Sequence, residues 1–190
     1  MAVQEKILSK TKSIAFIGLF IALILGLGYS LIMVPNVEMI IAMIFISGVL
    51  MGKLKGAIIG LIGEFLFSAL NPFGSGLMFP PLIVLQSVSG AIIGFTGGLL
   101  SKRVLKGDYK KISIIIGLIG LLLTLFYDVA TTIAYPITAG FDAKGIIAVI
   151  IAGVGFSIIH IVSNTIIFAL IVPYISRILY RAIFINYSEN

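Results

Sequence analysis

Apolar residues run through this chain in long stretches broken by brief polar interruptions. Six stretches, over about 14–34, 37–51, 54–70, 81–100, 112–134 and 146–173, read as helices. Helices of about 20 residues cross a hydrocarbon core roughly 30 Å thick. The pattern therefore predicts an all-α integral membrane protein of six transmembrane helices, forming one membrane domain over residues 1–190. The second and third stretches are short and are parted only by the basic turn GKLKG at 52–56. The last is too long for the core, since 145–177 makes about 48 Å of helix. A tilt, a break or a cap is expected near 152–155.

Charge adds the orientation. The chain is 60% hydrophobic and 11% charged, against about a quarter charged in soluble domains. Lys6, Lys10 and Lys12 precede the first stretch; Lys53 and Lys55 follow the second; Lys102, Arg103, Lys106, Lys110 and Lys111 follow the fourth; Arg177 and Arg181 follow the last. The other connections, PNVE at 35–38, NPFGSGLMFPP at 71–81 and YPITAGFDAKG at 135–145, hold only Lys144. Basic loops stay on the cytoplasmic side, so both termini are expected there, in a multi-pass protein of the cytoplasmic membrane. The net charge of +6 then reflects topology. It does not indicate a nucleic-acid surface, because the lysines are scattered without interleaved aromatics. The first stretch is about twice the length of a signal-peptide core and lacks an Ala-x-Ala site, so it is expected to remain in place.

Several chemistries drop out. The chain has no cysteine and one histidine, which leaves no disulfide framework and no zinc site, and no metal or cofactor is expected. It carries no nucleophile elbow and no paired HExxH. The nearest phosphate-loop lookalike, GVLMGKL at 48–54, is one residue short between its glycines and has Leu in place of Ser or Thr. An enzyme, and ATP hydrolysis in particular, is not expected.

Polar residues inside the apolar stretches share one level. Glu64 lies about 10 Å before Asn71 along its helix, Asp128 about 10 Å before Tyr135, and Gln86 about 8 Å after Pro81. Counted back from Arg177, His160 is about 25 Å away and Asn164 about 20 Å. The helical period groups Glu64, Ser68 and Asn71 in one stripe, Thr124, Asp128, Thr131 and Tyr135 in a second, Ser157, His160 and Asn164 in a third, and Gln86 with Ser89 in a fourth. Single polar groups of this kind often only bond helices together, at about 1 kcal/mol apiece, and His160 could serve as the partner of Asp128. Two acids, a histidine and two amides at one depth, without a buried Lys or Arg, point instead to a ligand pocket opening outward. Glu64, Gln86, Asp128, His160 and Asn164 are its candidate residues. Asn71 and Tyr135 stand at the stripe ends, and Glu38 at the N-terminus of the second helix, where a carboxylate is favoured. The segment 71–81, rich in Gly and Pro and carrying Phe73 and Phe79, is expected to act as a lid. Phe67, Phe73, Tyr127 and Tyr135 could stack on a ring. An acidic pocket without arginine favours a neutral or cationic small molecule over a multiply anionic one.

Small residues recur every four positions at Gly18, Ala22 and Gly26, at Gly56 and Gly60, and at Gly90 and Gly94, in the spacing that lets helices approach closely. With this stripe, the predicted topology and the segments PNVEMI, NPFG and IHIVSNTIIFALIVP, the chain resembles the substrate-binding S components of energy-coupling factor (ECF) transporters. The resemblance implies an S-component-like bundle that captures a vitamin or related micronutrient. It also implies docking on a transmembrane coupling subunit with two cytoplasmic ATPases. The family's Ala-xxx-Ala docking motif would fall on Gly18 and Ala22, with Gly26 one turn on; glycine at the first position departs from the strict form. A stand-alone proton- or cation-coupled carrier using Glu64, Asp128 and His160 as a relay is the alternative.

Overall fold

The computed structural model describes residues 9–185; Lys6, counted above among the basic residues, lies outside them. Six principal helices follow one another: α1 Lys10–Leu31, α2 Ile40–Met51, α3 Lys53–Ala69, α4 Pro80–Lys106, α5 Tyr109–Thr132 and, after the short α6 Ala134–Thr138, α7 Ala143–Tyr180. Among the described residues, four segments are long and apolar enough to cross a membrane: Lys10–Leu31, Pro80–Lys106, Tyr109–Thr138 and Ala143–Phe184. The 12 residues of α2 make about 18 Å of helix, short of the roughly 30 Å core. All of them are buried, as expected of a helix apolar on every side. α2 is the central post of the bundle.

The boundaries differ from the pattern-based ones where side chains bond the backbone. α2 begins at Ile40 because Glu38 accepts from the amides of Ile40 and Ile41, holding 37–39 outside the helix. α7 runs unbroken from its Asp142 cap through 152–155, since Gly153 and Gly155 retain their backbone amides and no proline interrupts that turn. The expected stop at Pro173 is also passed, the proline being buried inside the helix. The break in the chain falls instead after α5, where Pro136 in α6 has no amide to continue the ladder.

Glycines draw α2, α3 and α4 into backbone contact. A Cβ on Gly60 would strike the carbonyl of Gly90, one on Gly94 the carbonyl of Gly56, and one on Gly97 the carbonyl of Phe45. Against this core lies the α5–α7 hairpin, with Phe168 packed over Gly120 and edge-on to Phe45 at 5.2 Å between ring centres. Ser101 crosses between helices to donate to the Val49 carbonyl at 2.6 Å.

Apart from Lys144 near the start of α7, the lysines and arginines of the described segments collect at one end of the bundle, at the starts of α1, α3 and α5, the end of α4 and the end of α7. There Arg177 donates from Nε to the Val104 carbonyl at 2.9 Å and from Nη2 to the Gly107 carbonyl at 2.7 Å. It thereby closes the C-terminal end of α4, whose last carbonyls have no helical partner. α1 lies at the edge of the bundle, burying only Ser13, Phe20, Ile24 and Gly28.

Candidate functional site

A cavity of about 280 Å³ opens at the end of the bundle away from the basic cluster. Its polar lining comes from Glu38, Glu64, Asn71, Tyr127 and His160, and its apolar lining from α1, the α1–α2 connection, α2 and Phe67. Gly28 permits this enclosure, because a Cβ there would meet the Phe67 ring at 2.7 Å and Ile40 at 2.9 Å. Tyr29 stacks on the other side of the same corner, 4.9 Å from Phe67, and its hydroxyl donates to the Phe67 carbonyl at 3.0 Å.

Two hydrogen-bonded chains meet at the cavity. In the first, His160 stands between two acids, Nδ1 at 2.6 Å from Asp128 Oδ1 and Nε2 at 3.4 Å from Glu38 Oε1. Both contacts are hydrogen bonds when the ring carries both protons, since a carboxylate only accepts. Asn164 Nδ2 also donates to Glu38 Oε1, at 3.1 Å. With its second oxygen on the Ile40 and Ile41 amides, Glu38 has four donors around it. In the second chain, the Tyr127 hydroxyl donates to Glu64 Oε2 at 3.3 Å. Glu64 is 1% exposed, and this one long bond is its hydrogen bonding among the described residues.

Several buried polar atoms of the site stripes lack a partner among the described residues, the hydroxyls of Ser89 and Thr124 among them. Gln86 Oε1, Asp128 Oδ2 and Asn164 Oδ1 are buried without a hydrogen-bond partner among the described residues. The orientation of Asn164 follows from its neighbour: the amide nitrogen must face the Glu38 carboxylate, which leaves the amide oxygen unpaired.

Of the residues singled out from the sequence, Glu38, Glu64, Asn71 and His160 line the cavity, Asp128 and Asn164 stand behind them as hydrogen-bond partners, and Gln86 is not among the lining residues. Tyr135 is elsewhere. The α5 stripe ends with the helix, and Tyr135, on α6 and 59% exposed, packs edge-on against Phe79 and Phe141. Among the candidate stacking rings, Phe67 and Tyr127 line the cavity, whereas Phe73 is 70% exposed. The cover of the cavity also differs from the expected lid. The Gly/Pro-rich 71–81 segment contributes only Asn71, and the α1–α2 connection supplies Ile32, Val34, Pro35, Asn36, Val37 and Glu38. That connection is tied to α7 twice, by Glu38 and by Ser163 Oγ donating to the Asn36 carbonyl at 2.9 Å. Asn36 takes a positive φ of 57° to make the turn, a conformation asparagine tolerates better than most residues. Sequence reading missed this roof and the Tyr127 hydroxyl; the PNVE turn was the visible signal for the first.

On the far side of α1, Gly18, Ala22 and Gly26 are all exposed, and a Cβ on Gly18 or Gly26 would meet nothing within 4 Å. By contrast, the glycines of α3 and α4 are consumed by packing.

A family model described as ECF-type riboflavin transporter, S component, matches residues 8–182. The chain belongs to this family. It is thus the substrate-capture subunit of an ECF transporter, a multi-pass membrane protein that works with an ECF module and is itself no enzyme. No curated protein and no solved structure shows significant similarity to this S component.

Proposed function

We propose that this S component captures a vitamin or related micronutrient from outside the cytoplasmic membrane in the cavity between α1, α2, α3, α5 and α7. The observation that carries the reading is Glu64: a carboxylate 1% exposed, lining the cavity, with a single 3.3 Å hydrogen bond. A buried carboxylate left so poorly bonded is costly unless a ligand or partner completes its shell. The outward orientation rests on the basic residues gathered at the opposite end of the bundle.

Delivery follows from α1. Its Gly18, Ala22 and Gly26 face is smooth enough for a helix of the transmembrane coupling subunit to approach closely, and the two ATPases of the module supply the energy the chain cannot. The stand-alone carrier is disfavoured by the grouping of Glu38, Glu64, Asp128 and His160 at one end of the bundle, with no acid among the described residues continuing toward the other end inside the helices.

Riboflavin, named in the description of the matched family, is the first compound to test, within a panel of vitamins and their precursors. Thermal unfolding of the purified protein should shift upward with the cargo. The stabilisation is about 2.7 kcal/mol at a hundredfold excess over Kd, and it should vanish in Glu64→Gln. A well-folded protein that no panel compound protects would contradict the reading.

A further inference from the structure

Resting on the capture reading, we infer that the cargo is a compact nitrogen cation that offers N–H donors to Glu64, rather than a flavin-sized neutral ring system. Three observations converge on this. First, the charge of the walls is one-sided. Glu38 and Glu64 in the wall and Asp128 behind it are three acids against one histidine, which even doubly protonated between Asp128 and Glu38 offsets only one of them, and among the described residues no lysine or arginine lines the cavity.

Second, what Glu64 lacks is donors. Glu64 offers up to four lone-pair sites and accepts one hydrogen bond, from Tyr127. The unpaired oxygens of Asp128, Asn164 and Gln86 lie just behind. A ligand bearing only acceptors would add to this deficit, whereas an ammonium or amidinium group would relieve it through charge-assisted bonds. The Tyr127 hydroxyl, already donating to Glu64, is left to accept.

Third, the space is small. At about 280 Å³ the cavity sits at the lower edge of the roughly 300–1,000 Å³ common for small-molecule sites. It suits one ring or a short chain. Phe67 and the aliphatic side chains of α1 and α2 would cover the apolar side of such a ligand, its nitrogen end turned toward Glu64.

The test uses matched probes on the purified full chain. Benzamidine and benzamide share size and shape and differ in charge; riboflavin is the large neutral probe. Saturation-transfer NMR at millimolar probe should show benzamidine binding about tenfold or more tighter than benzamide, a difference of about 1.4 kcal/mol. That preference should fall to about unity in Glu64→Gln, and riboflavin should not bind. Absence of benzamidine binding, equal or tighter binding of benzamide or riboflavin, or a preference that survives Glu64→Gln would each overturn the inference. A second measurement separates it from the capture reading beneath it. The protein is incubated with a deproteinised metabolite extract, and the retained compounds are identified by mass spectrometry. Retention of a cation bearing N–H groups supports the inference, and retention of a quaternary nitrogen compound without N–H groups overturns the donor assignment. Retention of a neutral or anionic compound overturns the cation class and leaves capture standing. Retention of nothing, against a heat-denatured control, overturns capture itself.

Discussion

Glu38, in the roof of the cavity, is surrounded by two backbone amides and two side chains, whereas Glu64, in the opposite wall, receives one hydroxyl at 3.3 Å. The more exposed of the two is the better bonded: the Glu38 side chain is 20% accessible, while Glu64 is 1% exposed. Burial without bonding is the unstable combination for a carboxylate. The contrast divides the labour of the site. Glu38 starts α2 and ties the α1–α2 connection to α7, a structural task that uses its oxygens fully. Glu64 has bonding capacity left for something that is not part of the chain.

That division predicts a graded set of effects on the ligand-free protein. Glu38→Ala should be the most damaging, because it strands the Ile40 and Ile41 amides, His160 and Asn164 at once. Unsatisfied buried donors cost about 1–3 kcal/mol each before relaxation, so a net loss of about 2–4 kcal/mol is expected in reversible unfolding from detergent micelles. An unchanged midpoint would show that the roof is held by other contacts. Tyr127→Phe should cost about 1 kcal/mol, the worth of one ordinary hydrogen bond, and should weaken cargo binding because Glu64 loses its fixed orientation.

Glu64→Gln should sharpen the contrast further. Removing an ill-bonded buried charge leaves the apo protein within about 1 kcal/mol of wild type, or raises its stability, while abolishing capture. The smallest effect on fold and on cargo is expected for Gly18→Leu combined with Gly26→Leu. These positions face open space, so stability should move by no more than about 0.5 kcal/mol. Co-purification with the coupling subunit should nevertheless be lost. A doubly substituted protein that still assembles would place the docking face elsewhere.

Much of this arrangement could be read from the chain, and the exceptions have physical causes. The helices follow from apolar length, and the shared depth of Glu64, Asp128, His160 and Asn164 follows from counting 1.5 Å steps between interface markers. Small-xxx-small spacing is equally visible at Gly18 and at Gly60, yet it reports only that a backbone can be approached. Whether the approach is made by α4, as at Gly60, or by nothing in the chain, as at Gly18, depends on tertiary placement. The roof was hidden for a related reason. Gly and Pro content drew attention to 71–81, but the cover is chosen by which connection α7 can reach, through Ser163 and Asn164. Tyr135 was assigned to the pocket by a helical period that stops at Thr132. One residue of broken helix turned it outward.

The most direct test compares the unfolding midpoints of wild type and Glu64→Gln, each with and without the compound retained from the metabolite extract. The account predicts similar ligand-free midpoints for the two proteins, a clear upward shift with ligand for wild type, and none for Glu64→Gln. A Glu64→Gln protein as destabilised as Glu38→Ala, or one protected by the ligand as fully as wild type, would make Glu64 a structural residue and contradict the assignment of this cavity to cargo.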